Sequence, residues 1–442
     1  MAPYRDKART HPYGIVDLSV GTPVDPTPAL VQQALTAAAN SPGYPQTAGT
    51  EDLREAVAGW LARRLGVVVD PGAVLPTIGS KELVANLPFQ LGLGPGDKVW
   101  VPSPAYPTYR VGALLAGCEP VTGAADDCAM LWLNSPANPT GRVMTVEEMR
   151  GVVGWARERG IIIASDECYI ELGWEARPVS VLHPEVCGGS HEGLLAVHSL
   201  SKRSNLAGYR AGFVTGDPTL VAGLLEVRKH AGFMPPGPVQ AAMTAAMADD
   251  MHVADQRGRY AARRAGLAAA LAVAGFQISH SEAGLYLWAS RGEDCWATVD
   301  ALAQVGVLVA PGAFYGESGR EHVRVALTAL DAQVATVPER LALVPMPNPG
   351  SAPTDPRGYV TGGRAEQRAA RSAPVAPTAP RWDGDRQGQP EQYLRQPDQY
   401  AGQPDQYAGQ PEQYVGQHRR PAVGPPDQEL SQQVSVGPPD IQ

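Results

Sequence analysis

The stretch LLAVHSLSKRSNLAGYRAGFVTGD, residues 194–217, places two short apolar runs on either side of a turn rich in serine and glycine. Lys202 lies inside that turn, and Arg210 follows eight residues later. A lysine is most often a solvated surface residue. A lysine in a turn between two strands is alternatively the attachment point of a cofactor, whose phosphate the nearby serine and arginine side chains would bind. The rest of the chain decides between these two interpretations.

Short apolar runs alternate with amphipathic helical segments before residue 237, and this alternation predicts an α/β fold with a mostly parallel sheet. Ligands bind beyond the carboxyl ends of such strands, so the polar residues directly after each run are the ones that carry function. These are residues 134–140, 166–169 and 199–202. The runs are DKVWVPSP (97–104), MLWLNSP (130–136), GIIIASDE (160–167), LLAVHSLS (194–201) and AGFVTGD (211–217).

The composition predicts four parts. The alternating pattern assigns residues 41–237 to a large domain, in which helices flank the sheet. Residues 238–345, a long Ala- and Arg-rich helix followed by short strands, predict a smaller α+β domain. Residues 1–40 contain an isolated strand and turn, and we expect them to join the small domain. Residues 346–442 contain 16 prolines and a seven-residue repeat, QPDQYAG, which predict a disordered tail. The tail is either inert or a docking element.

Bulk properties exclude several classes of function. A net charge of −9 argues against nucleic-acid binding, which needs a concentrated basic face. The five cysteines form no CxxC pair and have no metal-ligand spacing, so we expect free thiols, no metal site and a reducing cytoplasm. The first residues lack the apolar run of a signal peptide, and no segment approaches the ~20 apolar residues that span a bilayer. These properties predict a cytoplasmic protein without a membrane partner.

Three polar clusters follow the predicted strands: NSPANPTG (134–141), SDECY (165–169) and SLSKRSNLAGYR (199–210). In residue type, spacing and order they resemble the class I fold-type I aminotransferases, which use pyridoxal 5′-phosphate, and the resemblance covers about residues 15–343. It implies that Lys202 is joined covalently to the cofactor and then transfers the substrate proton. Asp166 would pair with the pyridinium nitrogen, and Tyr169 and Asn138 would donate to the phenolic oxygen. As alternatives, Asp166 is a helix N-cap and Asn138 a turn residue.

The resemblance also implies a phosphate site. Ser199 and Arg210 match family positions that bind the phosphate, and the N–H groups of Ser80 and Lys81 would complete the site at the start of a helix. Tyr44 matches a tyrosine that reaches the phosphate of the neighbouring subunit, which implies a homodimer with shared active sites.

The remaining predicted residues concern the ring and the substrate. Tyr106 matches the aromatic residue that stacks on the pyridine ring. Arg324 matches the arginine that binds the substrate α-carboxylate, with the Gly21 backbone beside it. Alternatively, Arg324 is a strand residue that faces solvent. Arg228 and Lys229 are candidates for binding the distal anions of a longer substrate, and a solvated helix end is the alternative for both.

Three sequence segments resemble those of actinobacterial succinyldiaminopimelate aminotransferases: VDLSVGTPVDPTP (16–28), GSKELVANLP (79–88) and VRKHAGFMPPGPVQAAM (227–243). This implies transfer of an amino group from glutamate to N-succinyl-2-amino-6-oxopimelate, in lysine and diaminopimelate biosynthesis. Aspartate aminotransferase, or another aminotransferase of broad range, is the alternative. A pyridoxal-phosphate transcription factor would need a winged helix ahead of residue 15, and we do not expect one. β-Elimination and decarboxylation on the same cofactor stay open.

Truncation after Pro345 is expected to leave activity and melting temperature nearly unchanged, because a segment that buries little apolar surface adds little stability. Differential scanning calorimetry of the full and truncated chains measures this. A melting shift above about 4 °C would contradict the boundary, because it corresponds to at least ~1 kcal/mol.

Overall fold

The structure is a computed structural model and describes residues 1–123 and 127–344. The tail at 346–442 contains the seven-residue repeat and is predicted to be disordered. It lies outside the described residues. Within the described part of the chain, no helix is both long and apolar enough to cross a membrane.

The strands are short and most of them lie where the sequence predicts them. Their bounds are β1 (Val16–Asp17), β2 (Val74–Ile78), β3 (Lys98–Trp100), β4 (Glu119–Val121), β5 (Met130–Asn134), β6 (Ile162–Asp166), β7 (Leu194–Ser199), β8 (Ala211–Gly216), β9 (Gln277–Ser279), β10 (Tyr286–Ser290), β11 (Val307–Leu308), β12 (Ala310–Pro311) and β13 (His322–Ala326).

The helices fill the intervals between these strands. Their bounds are α1 (Ala2–Arg9), α2 (Ala29–Ala37), α3 (Glu51–Trp60), α4 (Gly79–Gln90), α5 (Thr108–Leu115), α6 (Val146–Glu158), α7 (Pro184–Cys187), α8 (Leu200–Arg203), α9 (Pro218–Ala231), α10 (Gly237–Ala248), α11 (Met251–Val273), α12 (Cys295–Gln304), α13 (Asp331–Val334) and α14 (Val337–Leu341). Single turns of π-helix (Leu61–Leu65) and 3₁₀-helix (Pro71–Ala73, Gly312–Tyr315, Glu317–Gly319) complete them.

A seven-stranded sheet in the order β2-β8-β7-β6-β5-β3-β4 forms the centre of the fold. The pairs from β4 through β3, β5 and β6 to β7 are all parallel, so the predicted α/β class with a mostly parallel sheet is confirmed. Only β8 runs against its neighbours. The reason is the short connection at 200–210, because a parallel crossover takes about a dozen residues or more.

Alternate residues of the central strands enter two apolar cores, one on each face of the sheet. Leu131 and Ile163 belong to the core formed with α3, α6 and α10. Trp132 and Ala164 belong to the core formed with α4, α5 and α9. Because successive side chains of a strand point to opposite faces, burial of both faces gives the nearly continuous apolar runs seen in the sequence.

A second sheet, β12-β13-β10-β9, is antiparallel and has its own core with α11 and α12. The N-terminal segment reaches this part of the molecule, since β1 pairs with β11 and the Ala326 N–H donates to the Leu18 carbonyl at 2.9 Å. The predicted boundary at 237/238 falls at the beginning of α10, which packs in the core of the first sheet, whereas α11 packs in the core of the second.

Two buried ionisable side chains, Glu167 and His198, meet where β6 and β7 end. Glu167 Oε2 lies 3.5 Å from His198 Nε2, and Glu167 Oε1 accepts a hydrogen bond from the Val181 N–H at 2.7 Å. The His198 ring stacks on Phe213 and meets the edge of Trp60. Burial raises the pKa of Glu167 to about 7 and lowers that of His198 to about 3, because a buried charge loses its hydration.

The melting temperature of Glu167→Gln minus that of wild type is expected to increase as the pH rises from 4.5 towards 7. Over that range the folded wild type retains a carboxyl proton that the unfolded chain has released, so its stability falls with rising pH. Glutamine has no such proton. The His198 contribution rises with pH in both proteins and therefore cancels in the difference.

Melting temperatures of the two proteins at about pH 5 and about pH 7 measure this linkage. Glu226→Gln, which changes an exposed carboxyl, is the matched control and gives the baseline against which the Glu167→Gln trend is measured. If the difference in melting temperature between Glu167→Gln and wild type stays constant with pH, the raised pKa of Glu167 is contradicted.

Candidate active site

The carboxyl ends of β5, β6 and β7 open into a cavity of about 1010 Å³. Of the fourteen residues that the sequence analysis names as candidates for the site, eleven line this cavity, and Tyr44, Arg228 and Lys229 do not. The eleven are Gly21, Ser80, Lys81, Tyr106, Asn138, Asp166, Tyr169, Ser199, Lys202, Arg210 and Arg324.

Lys202 lies on α8, the single helical turn that follows β7. The turn begins at Ser199, whose Oγ caps it by accepting the Ser201 N–H at 3.2 Å. Burial lowers the pKa of Lys202, because the ammonium form loses its hydration inside the cavity. A larger share of the amine is therefore neutral and nucleophilic near neutral pH, and the interpretation as a solvated surface lysine is wrong.

Asp166 ends β6, and two donors hold its carboxylate. The Tyr109 hydroxyl donates to Oδ2 at 2.7 Å, and the Cys168 N–H donates to Oδ1 at 3.2 Å. Asn134 Nδ2 also donates to the Asp166 carbonyl at 2.9 Å, which fixes the backbone at the sheet edge. Burial raises the pKa of Asp166, and the hydrogen bonds from Cys168 and Tyr109 oppose that rise. A buried carboxylate of this kind favours a cation beside it.

Arg210 and the start of α4 form a cluster of hydrogen-bond donors. Arg210 Nη1 donates to the Ala207 carbonyl at 2.9 Å, and Nη2 lies against Gly79, where a Cβ would overlap it. The helix begins at Gly79, so the Ser80 N–H is among the amides without a helical partner. Arg210 has a φ of 55°, a left-handed conformation that costs a non-glycine residue of order 1 kcal/mol or more. Such strain is typical of functional sites.

These groups fit the cofactor implied by the sequence resemblance. A phosphate dianion matches the guanidinium of Arg210, the Ser199 hydroxyl and the free N–H groups of α4. A protonated ring nitrogen matches the buried Asp166 carboxylate, and an aldehyde matches the amine of Lys202. Tyr106 supplies an aromatic face, and the Lys81 ammonium lies 5.7 Å from the centre of that ring.

Arg324 is buried, at 7% exposure, so the interpretation as a solvent-facing strand residue is wrong. Its Nη1 donates to Asn138 Oδ1 and its Nη2 to the Ser19 carbonyl, both at 3.0 Å. Its guanidinium carbon lies 3.9 Å from the centre of the Tyr286 ring and 4.9 Å from that of Tyr315. Arg324 Nε has no hydrogen-bond partner among the described residues, so donors are available for a carboxylate.

The sequence-based candidates for binding distal anions are wrong. Arg228 is 0% exposed, lies outside the cavity, and makes a two-pronged ion pair with Glu82 at 2.8 and 2.9 Å. A buried guanidinium needs such a partner, because desolvation of an unpaired charge is costly. Lys229 lies on the surface, where its ammonium contacts Glu226 at 2.8 Å.

Tyr44 is 99% exposed and lies outside the cavity lining of its own chain. Its predicted contact is with a second subunit, so this assignment stays a prediction.

Sequence reasoning missed several residues of the cavity wall and one residue buried outside it. That buried residue is Tyr109, which donates to the Asp166 carboxylate, and nothing in the local sequence indicates a partner 57 residues away. Tyr286 and Tyr315 occur in apolar runs and are indistinguishable there from core residues. Ser201 also lines the cavity. Among the described residues, no group of three or more His, Cys, Asp or Glu side chains could hold a metal.

Comparison with known proteins identifies the family. The family model described as "Aminotransferase class I and II" matches residues 13–341. The crystal structure of an aminotransferase from Neisseria meningitidis Z2491 has a TM-score of 0.70 and 32% identity, and the match covers 77% of this chain and 95% of that one.

Three curated relatives are similar over most of the same region. The 4-dedimethylamino-4-oxo-anhydrotetracycline transaminase OxyQ of Streptomyces rimosus is 58% identical, covering 77% of this chain and 97% of its own. The probable aminotransferase Rv1178 of Mycobacterium tuberculosis is 61% identical, covering 76% and 82%. The LL-diaminopimelate aminotransferase of Aquifex aeolicus is 33% identical, covering 74% and 90%. The chain belongs to the class I and II aminotransferases, a family of enzymes that depend on pyridoxal 5′-phosphate.

Proposed function

We propose that this aminotransferase transfers the amino group of glutamate to N-succinyl-2-amino-6-oxopimelate, a step of lysine and diaminopimelate biosynthesis. One observation carries the proposal furthest: beyond the groups that suit the cofactor, the cavity presents two further cations, Arg324 and Lys81. Two separate cations suit a substrate with anionic groups at both ends. The sequence resemblance and the relative named LL-diaminopimelate aminotransferase support the same class of substrate.

The cofactor, when bound, supplies a protonated ring that withdraws electrons from the substrate α-carbon. Asp166 would keep a negative charge beside the ring nitrogen, and the Tyr169 hydroxyl would donate a hydrogen bond to the phenolic oxygen. Lys202 Nζ would remove the proton from the substrate α-carbon, and burial suits it to this task because it lowers the pKa of the amine.

Arg324 binds the α-carboxylate of the amino donor and of the acceptor in turn. Asn138 and the Ser19 carbonyl each accept one N–H from its two terminal nitrogens, and these bonds hold the guanidinium at the cavity wall. Lys81 then remains as the cation for the distal carboxylate or the succinyl group. Its side chain is exposed, so it can follow substrates of different length.

We also propose that the enzyme is a cytoplasmic homodimer in which Tyr44 of each subunit completes the phosphate site of the other. The complete exposure of Tyr44 in the single chain supports this arrangement, because a tyrosine ring favours burial. All five cysteines are free thiols, in keeping with a reducing compartment.

A panel of acceptors tests the substrate assignment. With glutamate as donor, kcat/KM is compared for N-succinyl-2-amino-6-oxopimelate, oxaloacetate and 4-dedimethylamino-4-oxo-anhydrotetracycline. The succinylated oxo acid should have the highest value. Preference for oxaloacetate would replace the assignment by aspartate aminotransferase, and preference for the tetracycline precursor would replace it by the reaction named for the Streptomyces relative.

Variants of the two cations should differ in selectivity. Arg324→Met is expected to lower kcat/KM for every acceptor at least about 30-fold, since truncation of a buried charged pair costs roughly 2–5 kcal/mol. Lys81→Met should lower it about fivefold for acceptors with a distal carboxylate, because an exposed ion pair is worth at most about 1 kcal/mol. Pyruvate, which has no distal anion, is the comparison. If Lys81→Met lowers kcat/KM equally for pyruvate and for the dicarboxylic acceptors, Lys81 does not bind the distal carboxylate.

Lys202→Ala is expected to reduce turnover to less than about a thousandth of wild type, because acid–base catalysis alone contributes about 10²–10⁴-fold. The melting temperature of the cofactor-free protein should not fall, since the buried amine serves chemistry and not packing. Lys229→Ala, at an exposed lysine that lies outside the cavity, is the matched control and should keep full activity. Substantial residual turnover of Lys202→Ala would remove its proposed role.

A further inference from the structure

One tyrosine with no assigned role, Tyr286, contacts three separate parts of the site. Its hydroxyl lies 3.2 Å from the Tyr169 hydroxyl, and its ring centre lies 3.9 Å from the guanidinium carbon of Arg324. The same hydroxyl lies against Gly21, where a Cβ would overlap it. Tyr286 is 5% exposed. A single side chain on β10 therefore joins the residues after β6, the strand β13 and the N-terminal segment.

The ring of Tyr286 determines how Arg324 is presented. Each terminal nitrogen of Arg324 donates one hydrogen bond, to Asn138 and to Ser19 respectively. These two bonds alone leave the plane of the guanidinium free to tilt. The Tyr286 face at 3.9 Å, with the more distant Tyr315 ring at 4.9 Å, prevents that tilt. A guanidinium against an aromatic face is also attracted by the ring quadrupole. The free donors of Arg324 consequently point in one direction.

The hydroxyl of Tyr286 acts on a different partner. Burial raises the pKa of Tyr169 well above its ordinary value, and the neighbouring Tyr286 adds to that rise, so Tyr169 stays protonated and can donate. A hydroxyl that accepts one hydrogen bond while donating another becomes a stronger donor, because the two bonds polarise each other. Either hydroxyl of the pair could be the donor; when Tyr169 donates into the cavity, Tyr286 is the donor to Tyr169.

We propose that Tyr286 is a positioning residue with two separable contributions: its ring orients Arg324 for the substrate carboxylate, and its hydroxyl strengthens Tyr169 as a donor to the cofactor. The inference rests on the proposed function, in which Arg324 binds the carboxylate and Tyr169 contacts the phenolic oxygen. It adds a residue that connects these two events.

Two variants of the holoenzyme separate the contributions. Tyr286→Phe keeps the ring and removes the hydroxyl, whereas Tyr286→Leu removes both. The first measurement is the pH midpoint of the change in visible absorption of the holoenzyme. The second is the dissociation constant of succinate, a dicarboxylate that cannot react, followed by the same absorption.

Tyr286→Phe should shift the pH midpoint upwards by roughly 0.3–0.7, because a weaker hydrogen bond to the phenolic oxygen stabilises its ionised form less. Its affinity for succinate should stay within about twofold of wild type. Tyr286→Leu should show the same upward shift and also bind succinate about 3- to 30-fold more weakly, the range expected for loss of a cation–π contact.

Tyr315 provides the matched controls, since its ring also lies over Arg324 but its hydroxyl does not contact Tyr169. Tyr315→Phe should leave the pH midpoint unchanged, and Tyr315→Leu should weaken succinate binding without shifting the midpoint. A Tyr286→Phe midpoint equal to that of wild type overturns the hydroxyl contribution. Succinate affinity equal to wild type in Tyr286→Leu overturns the ring contribution.

Neither measurement depends on which oxo acid is the natural acceptor, so failure of the substrate assignment leaves this test intact. Tyr286→Phe differs from wild type by one oxygen atom and is the variant that keeps the packing of the core. If Arg324→Met binds succinate as tightly as wild type, the proposed role of Arg324 fails, and the ring contribution of Tyr286 fails with it. The hydroxyl contribution is then still decided by the pH midpoint.

Discussion

The parallel register of β5, β6 and β7 is the constraint on which the site depends. Asn134 lies opposite Asp166, and Asp166 lies opposite Val197, so the three strands end at nearly the same level. A slip of one residue would turn every side chain to the other face of the sheet. The apolar alternation that fills both cores therefore also decides which polar side chains leave the sheet at its carboxyl edge. Fold and site follow from one pattern.

Buried ion pairs then hold the elements around that edge. The Glu82 carboxylate accepts a hydrogen bond from the Ile78 N–H and also binds Arg228, so the guanidinium fixes the beginning of the helix that presents Ser80. Removing one partner of such a pair leaves an uncompensated buried charge, which typically costs about 3–5 kcal/mol. Arg228 therefore holds the beginning of α4, at which we propose that the phosphate binds.

This arrangement explains which parts of the site the sequence predicts. Asp166, Tyr169 and Lys202 are predictable because Asp166 ends its strand and the other two follow theirs closely, and each strand is recognisable from its apolar run. The ion pair of Arg228 with Glu82 joins residues 146 positions apart, and no local pattern reports it.

The same limit applies to the aromatic residues and to strand direction. Tyr286 occurs in the run GLYLWAS and has the appearance of a core residue there, although its hydroxyl contacts Tyr169 and its ring contacts Arg324. The antiparallel direction of β8 was available from the length of the connection at 200–210, but the apolar pattern alone gives no direction. Pattern predicts which residues are buried; contacts between distant elements decide what the buried polar groups do.

Several buried polar groups of the cavity are energetically unfavourable in the unliganded chain, and the expected ligands would make each of them more favourable. Burial disfavours the charged forms of Asp166 and Lys202, and Arg324 Nε is buried without a partner among the described residues. A cationic ring beside Asp166, an amine converted to a bond at Lys202 and a carboxylate at Arg324 would each remove one of these costs. Binding would therefore complete the site and also stabilise the folded chain, because a ligand that binds only the native state shifts the folding equilibrium towards that state. The scaffold around the cavity, with its two apolar cores and its buried ion pair of Arg228 with Glu82, makes a site with these uncompensated charges possible before any ligand binds.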